Sequence, residues 1–195
     1  MWGPIGRTRV FSLAVVASLA AGCYSTSVRV VQRVPTDRPR DHIYVIVYEG
    51  GAPTSYGIQL ARALVDALGA HVGERRGRVL TGIEFDTSFV DQEIDRFGAQ
   101  AVLAVRPLGS RTGRYGEIVA LTYGATVTER PSNQPLWAAK VEISGAAWPE
   151  AIVDMAAELV SALANDHLIP PASPRAETPE PPAPPRPQTG EGALH

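Results

Sequence analysis

Residues 42–69 read HIYVIVYEGGAPTSYGIQLARALVDALG. Ile43 to Tyr48 is an unbroken β-branched and aromatic run, which predicts a strand covered on both faces, as in the interior of a parallel sheet. Gly50-Gly51-Ala52-Pro53 breaks that run. Thr54 or Ser55 then caps a helix in which Ile58, Ala61, Leu64, Val65 and Leu68 recur at helical spacing, until Gly69 ends it. A buried strand followed by an amphipathic helix is the opening of a parallel crossover unit.

The segments that follow repeat the unit and then depart from it. Arg78 to Phe85 predicts a second strand. Asp86-Thr87-Ser88 opens a second helix, with Ser88 and Asp91 in capping-box spacing and Phe89, Val90, Ile94 and Phe97 along one side. Gly98 stops it, and Ala101 to Val105 is a third buried strand. Beyond this point the strands lengthen. Glu117–Glu129 and Leu136–Ser144 are joined by a short loop holding Pro131 and Pro135, which predicts an antiparallel hairpin. The turn Gly113-Arg114-Tyr115-Gly116 makes another with the third strand. Pro149 suits the first position of a last helix, whose stripe is Ile152, Met155, Ala156, Leu159, Val160 and Leu163. The reading is an α/β (mixed α+β) single domain over residues 42–170. Its order is β-α-β-α-β-β-β-α, with a mixed five-stranded sheet and three helices.

The flanks differ in kind. From Pro170 to His195, nine of twenty-six residues are proline and none is aromatic. Such a stretch cannot bury enough surface to offset its ordering entropy, so residues 171–195 are expected to be a disordered, partly polyproline-II tail. Residues 23–41 read as a basic tether, with Arg29, Arg33, Arg38, Arg40 and two prolines. Extended, the eighteen residues after Cys23 would span at most about 60 Å. Val28, Val30 and Val31 offer a short edge strand as the other reading of that segment.

The first 23 residues carry a recognisable signal. Arg7 and Arg9 precede an apolar run from Val10 to Ala21, and Leu19-Ala20-Ala21-Gly22 leads to Cys23, the only cysteine. The run is shorter than the roughly 20 residues that span a bilayer, and the order of charge, apolar stretch and small residues is that of an export signal. It resembles the signal peptide (residues 1–22) and lipobox of bacterial lipoproteins, with Ala20 where those proteins prefer leucine. The resemblance implies cleavage between Gly22 and Cys23, a diacylglyceryl thioether on Cys23, and acylation, palmitate included, of the new amino terminus. Tyr24, rather than aspartate, after the cysteine implies the outer membrane, facing the periplasm, with the inner membrane as the alternative. Acyl chains on one residue anchor a protein without spanning the bilayer.

Composition narrows the functional classes. The chain has 195 residues and a formal charge of −2. Without residues 1–22 it has 16 basic and 20 acidic residues, a net of −4, so it has no electrostatic footprint for nucleic acid. A single cysteine excludes disulfides and thiolate-held metal within the chain. His42, His71, His167 and His195 form no metal-ligand spacing. The loop from Glu49 to Gly57 sits where phosphate loops sit but lacks G-x-G-x-x-G and G-K-[ST]. Asp86-Thr87-Ser88 reads as a helix cap, and no G-x-S-x-G elbow occurs. Asp91, Glu93 and Asp95 read as the solvated face of their helix, and Trp137 and Trp148 as closures between sheet and helix. No catalytic, cofactor-binding or metal residue emerges. Tyr115 at a hairpin tip, beside Arg111 and Arg114, is the candidate contact for a partner.

Gly98-Ala99-Gln100-Ala101-Val102-Leu103, Leu136 to Glu142 (LWAAKVE) and Leu168-Ile169-Pro170 resemble small periplasmic lipoproteins whose domains are similar to the TolB amino-terminal domain and the LpoB-type activators of peptidoglycan synthases. The resemblance covers roughly residues 42–170. It implies a protein that is not an enzyme and needs no cofactor. Its role would be a non-catalytic interaction or scaffold module in envelope assembly or transport, meeting the lipid bilayer through Cys23 and envelope proteins through its domain. LpoB-type proteins have a much longer linker than this chain. The alternative, from another class, is a small periplasmic binding module for a lipid or glycan, which calls for a deep apolar pocket of at least about 300 Å³.

Overall fold

Hydrogen-bonded strands and packed helices alternate along the chain as β1 (Tyr24–Arg33), β2 (His42–Glu49), α1 (Thr54–Leu68), β3 (Glu74–Thr81), α2 (Ser88–Phe97), β4 (Ala101–Thr112), β5 (Ile118–Glu129), β6 (Pro135–Gly145) and α3 (Trp148–Asn165). This computed structural model describes residues 24–49, 54–81, 88–145 and 148–173. The expected export signal 1–22, Cys23, residues 50–53, residues 82–87 with the expected end of the second strand and the helix cap at Asp86 and Thr87, residues 146–147, and those beyond 173 lie outside the described residues. One mixed sheet holds all six strands in the order β1-β6-β5-β4-β2-β3. β2 pairs in parallel with β3 and β4, and every other pairing is antiparallel.

The two crossovers explain the layering. β2 reaches β3 through α1, and β3 returns past β2 to β4 through α2. Reversing direction under the right-handed crossover rule puts the two helices on opposite faces. α1 and α3 cover the larger face, where Val45, Leu103, Trp137, Val141, Leu64, Met155 and Leu159 form the main core. α2 closes a smaller cluster on the other face, made of Tyr44, Ile46, Leu80, Val90, Ile94 and Val102. The continuous apolar runs of β2 and β4 are therefore covered on both sides, as their sequences require. Among the described residues no helix is long and apolar enough to cross a membrane.

Three features depart from the sequence reading. The sheet has six strands rather than five, because residues 24–33 form β1 on the edge of β6 instead of a free tether. Val28 and Val30 pack against the main core, while Ser25, Ser27, Arg29 and Val31 face solvent. The valine alternation was the signal; the interleaved polar residues belong to an exposed face. β3 begins at Glu74, four residues before the expected start and inside a charged stretch. As an edge strand it needs hydrogen-bond partners on one side only, and its arginines blunt that edge. Arg75 reaches back to donate to the Val65 carbonyl at 3.1 Å, and the bare Gly77 lets Val65 of α1 pack onto the strand. β4 runs past Val105 to Thr112, and this extension pairs with β5 alone.

Asp91, Glu93 and Asp95 are ion-paired rather than merely solvated. Asp91 and Asp95, one turn apart, both meet Arg130, at 3.3 and 2.6 Å. Glu93 takes Arg78 at 2.5 Å and Arg76 at 3.5 Å. Burial opposes the Glu93 charge, but Arg78, the neighbouring Tyr44 hydroxyl and Arg76 more than offset it, so the carboxyl titrates below its ordinary range. Glu129 is likewise lowered, by hydrogen bonds from Ser132 and Arg40. Depressed carboxyl values stabilise the fold above the unfolded value and cease to do so as pH falls through the folded one. Thermal stability is therefore expected to decline below the free glutamate value of about 4.3. Glu93→Gln and Glu129→Gln variants should each show a shallower decline when melting temperature is followed against pH.

Candidate functional site

The strand register defines one end of the molecule. Tyr24 lies opposite Gly145, Ser144 opposite Ala120, and Ala120 opposite Arg111. The start of β1, the end of β6, the start of β5 and the end of β4 thus form one row. The β4–β5 turn, Gly113 to Glu117, continues beyond that row. The candidate residues Arg111, Arg114 and Tyr115 therefore share an end with Tyr24, the residue next to Cys23.

Tyr24 is firmly held. Its hydroxyl donates to Asp154 of α3 at 2.5 Å, and this bond to a carboxylate, together with burial, raises the phenol above its usual value. Ser25 Oγ meets Ser144 Oγ at 2.8 Å, and the Thr26 hydroxyl donates to Glu158 at 2.5 Å. Tyr24 is thus part of the sheet itself.

The β4–β5 hairpin is built to project. From Arg106 onward β4 has lost β2 as a neighbour. Arg106 closes the base by stacking its guanidinium on the Tyr48 ring, 4.3 Å from the centroid. Leu108, at an irregularity in the pairing, lies against the bare backbone of Gly124. In the turn, the Gly113 N–H donates to the Glu117 carbonyl at 2.7 Å, and Gly116 N–H to the Gly113 carbonyl at 3.2 Å. Gly116 has φ +83°, which favours glycine. The Tyr115 N–H donates to the Glu117 carboxylate at 2.9 Å. These bonds order the backbone of the turn while leaving the side chains in solvent. Tyr115 is 89% exposed, Leu108 63% and Ile118 37%. An ordered tip that presents a phenol on the same hairpin as two arginines can contact another surface.

Other places are less suited to a function. One concavity, about 1090 Å³, is a broad open depression edged by Asp41, Asp66, His71, Arg75 and Pro170. His71 Nδ1 meets the Pro170 carbonyl there at 3.0 Å, and Asp41 accepts from the Gly73 N–H at 2.9 Å, so both serve the local backbone. A shallow groove of about 450 Å³ follows Leu108, Arg111, Thr122, Lys140 and Glu142 across the sheet face that α2 leaves bare. Burial pushes the Tyr44 phenol up to about 12, beside Glu93, so it stays neutral at physiological pH. Among the described residues no three His, Asp or Glu side chains gather as a metal site would need. Trp137 is fully buried and donates to Asp166 at 2.7 Å, the structural role its position predicts. Trp148 begins α3. Arg40 and Arg130, which tie the far end together, carry no legible signal in the sequence because their partners, Glu129, Asp91 and Asp95, are brought to them only by the fold.

No family model matches the chain, and no curated protein matches it. Among solved structures it is similar to the PelC dodecamer from Paraburkholderia phytofirmans, with a TM-score of 0.52 and 15% identity over 71% of this chain and 97% of that one. The two share a fold. At that identity the likeness extends to the fold alone. A DUF330 protein from Xanthomonas campestris gives a TM-score of 0.39 at 9% identity, covering 71% of this chain and 94% of its own. Lipoprotein GNA1162 from Neisseria meningitidis gives 0.36 at 16% identity, covering 64% and 96%. These two scores are too low to carry an argument.

Proposed function

We propose that the chain is an acylated lipoprotein of the bacterial envelope, held by Cys23 in the outer membrane and facing the periplasm, where it acts as a non-catalytic interaction or scaffold module in envelope assembly or transport. The observation that supports this reading most is the position of Tyr24. Pairing with Gly145 and bonded to Asp154, it is the first residue of the sheet and the immediate neighbour of Cys23. An acylated Cys23 then keeps the domain flush with the bilayer, and partners are met at the membrane surface. The fold shared with a dodecamer supports a further element, self-association into a membrane-apposed assembly. The resemblance read in the sequence to TolB amino-terminal and LpoB-type domains would be in keeping with docking on an envelope machine. Without a tether, however, the domain has no reach through peptidoglycan, so the proposed partners are membrane-proximal and not synthases.

A lipid- or glycan-binding module would be favoured by an enclosed apolar cavity. The depression at Asp41 and His71 is open and edged by charge, so the scaffold reading is preferred.

Cys23→Ser tests the anchor. Wild-type protein should sediment with membranes, and its mass should show loss of residues 1–22 and gain of acyl chains. The serine variant should keep its full leader and lose the acyl mass. Membrane retention and mass that are indifferent to the substitution would overturn the proposal. Crosslinking in intact cells then tests the scaffold: copies of the chain or defined envelope proteins are expected, and recovery of bulk lipid alone would remove that role.

A further inference from the structure

We infer that the β4–β5 hairpin tip is a second membrane contact, in which Tyr115, Arg114 and Arg111 seat in the phospholipid headgroup layer of the bilayer that holds Cys23. The inference deepens the proposed function and rests on the anchoring at Cys23.

The geometry comes from the register. Tyr24 stands level with Gly145, and the Ser144–Ala120–Arg111 row is one residue further in. Gly113 to Glu117 continues the hairpin past that level, so Tyr115 reaches outward by two or three residues, about 7–10 Å at a strand's rise. Laterally, β5 and β4 are two and three strands from β1, about 10 and 15 Å away at the usual spacing. An anchor one residue from Tyr24 therefore brings the tip to the membrane surface at the same time. A free tether would not impose this coupling.

The chemistry of the tip suits that layer. A tyrosine ring with a polar edge prefers the interface, and arginines pair with phosphate oxygens. Ile118, beside the turn, adds apolar surface. Glu142 and Lys140 line the groove that Arg111 shares. The Glu117 carboxylate is turned back onto the Tyr115 N–H, and Glu150 and Asp154 lie on α3 near Tyr24, Asp154 accepting from its hydroxyl. Arg111 and Arg114, like Arg29, Arg38, Arg62, Arg75, Arg96 and Arg106, have no ion pair among the described residues, whereas Arg33, Arg40, Arg76, Arg78 and Arg130 do. Anionic phospholipid would supply the missing counter-charge.

Because Cys23 is the only cysteine, an introduced thiol can be labelled alone once Cys23 is acylated. Full-length lipidated Tyr115→Cys protein, carrying an environment-sensitive fluorophore, is reconstituted in vesicles of phosphatidylcholine and phosphatidylglycerol. Gln134→Cys, exposed in the β5–β6 loop at the opposite end, is the control. Headgroup-borne nitroxide lipid is expected to quench position 115 several-fold more than 134. Adding Arg111→Gln and Arg114→Gln should lower tip occupancy roughly 30-fold, from about a tenfold factor per 1.4 kcal/mol and about 1 kcal/mol for each basic residue at an anionic surface. Equal quenching of 115 and 134 by an aqueous quencher, with Cys23 shown by mass to be acylated, overturns the inference alone. Shielding of 115 from water without quenching by lipid overturns it in favour of a protein contact. An unmodified Cys23 overturns the anchor reading and the inference together.

Discussion

Val28→Asp combined with Val30→Asp is expected to destabilise the protein by at least about 3 kcal/mol, whereas Val31→Asp should stay within about 0.5 kcal/mol of wild type. Val28 and Val30 sit on the inner face of β1, against the core that α3 covers. Their loss removes apolar burial and puts two carboxylates beneath α3, where Asp154 and Glu158 already bond to Tyr24 and Thr26. Val31 is 63% exposed and provides a chemically identical control one residue away. A free tether would leave all three substitutions equally harmless. Denaturant unfolding with unchanged slope and a lowered midpoint for the double variant alone would establish β1 as part of the cooperative unit. Equal midpoints for all variants would remove it. The point bears directly on the proposed function, since a β1 that detaches easily would return to the domain the freedom that the proposed anchor at Cys23 would take away.

Trp137→Ala should cost about 3–5 kcal/mol, a large share of the 5–15 kcal/mol typical of whole domains. Trp137 is fully buried in β6, and its indole N–H donates to Asp166 at the end of α3. Arg33, the last residue of β1, donates to the same carboxylate at 2.9 Å. One aspartate thereby joins β1, β6 and the end of α3, and removing the indole opens a cavity at that junction. Trp137→Phe keeps most of the volume and gives up the hydrogen bond, for an expected cost of about 1.5 kcal/mol. Chemical denaturation of the three proteins checks the order. A phenylalanine variant as unstable as the alanine one would mean that the bond to Asp166, rather than packing, dominates.

Much of the molecule was legible locally. Ile43 to Tyr48 and Ala101 to Val105 announce doubly covered strands by continuous apolar runs, and both strands are found with helices on either face. Helices α1, α2 and α3 follow from their apolar spacing, and both hairpins from their glycine and proline turns. Edge strands were the weak point. β1 has one paired side and one covered face, so half of its residues are free to be polar, and β3, paired on one side only, begins with the charged Glu74-Arg75-Arg76, so each reads like a linker where it starts. Tyr115, Arg111 and Arg114 were identifiable as an exposed tip, because a four-residue turn with two glycines offers an aromatic ring little to pack against. Which surface the tip meets was not identifiable.

Local periodicity and turn stereochemistry, written within a dozen residues of each element, determined the order of strands and helices, the core stripes and the turns. Pairing between distant segments decided the rest. Tyr24 finds Asp154 across 130 positions, and that docking turns an apparent leash into an edge strand and sets Tyr24 at the same end of the sheet as the hairpin tip. Such proximity depends on sheet register, a property of no single segment, so only the folded chain could reveal it.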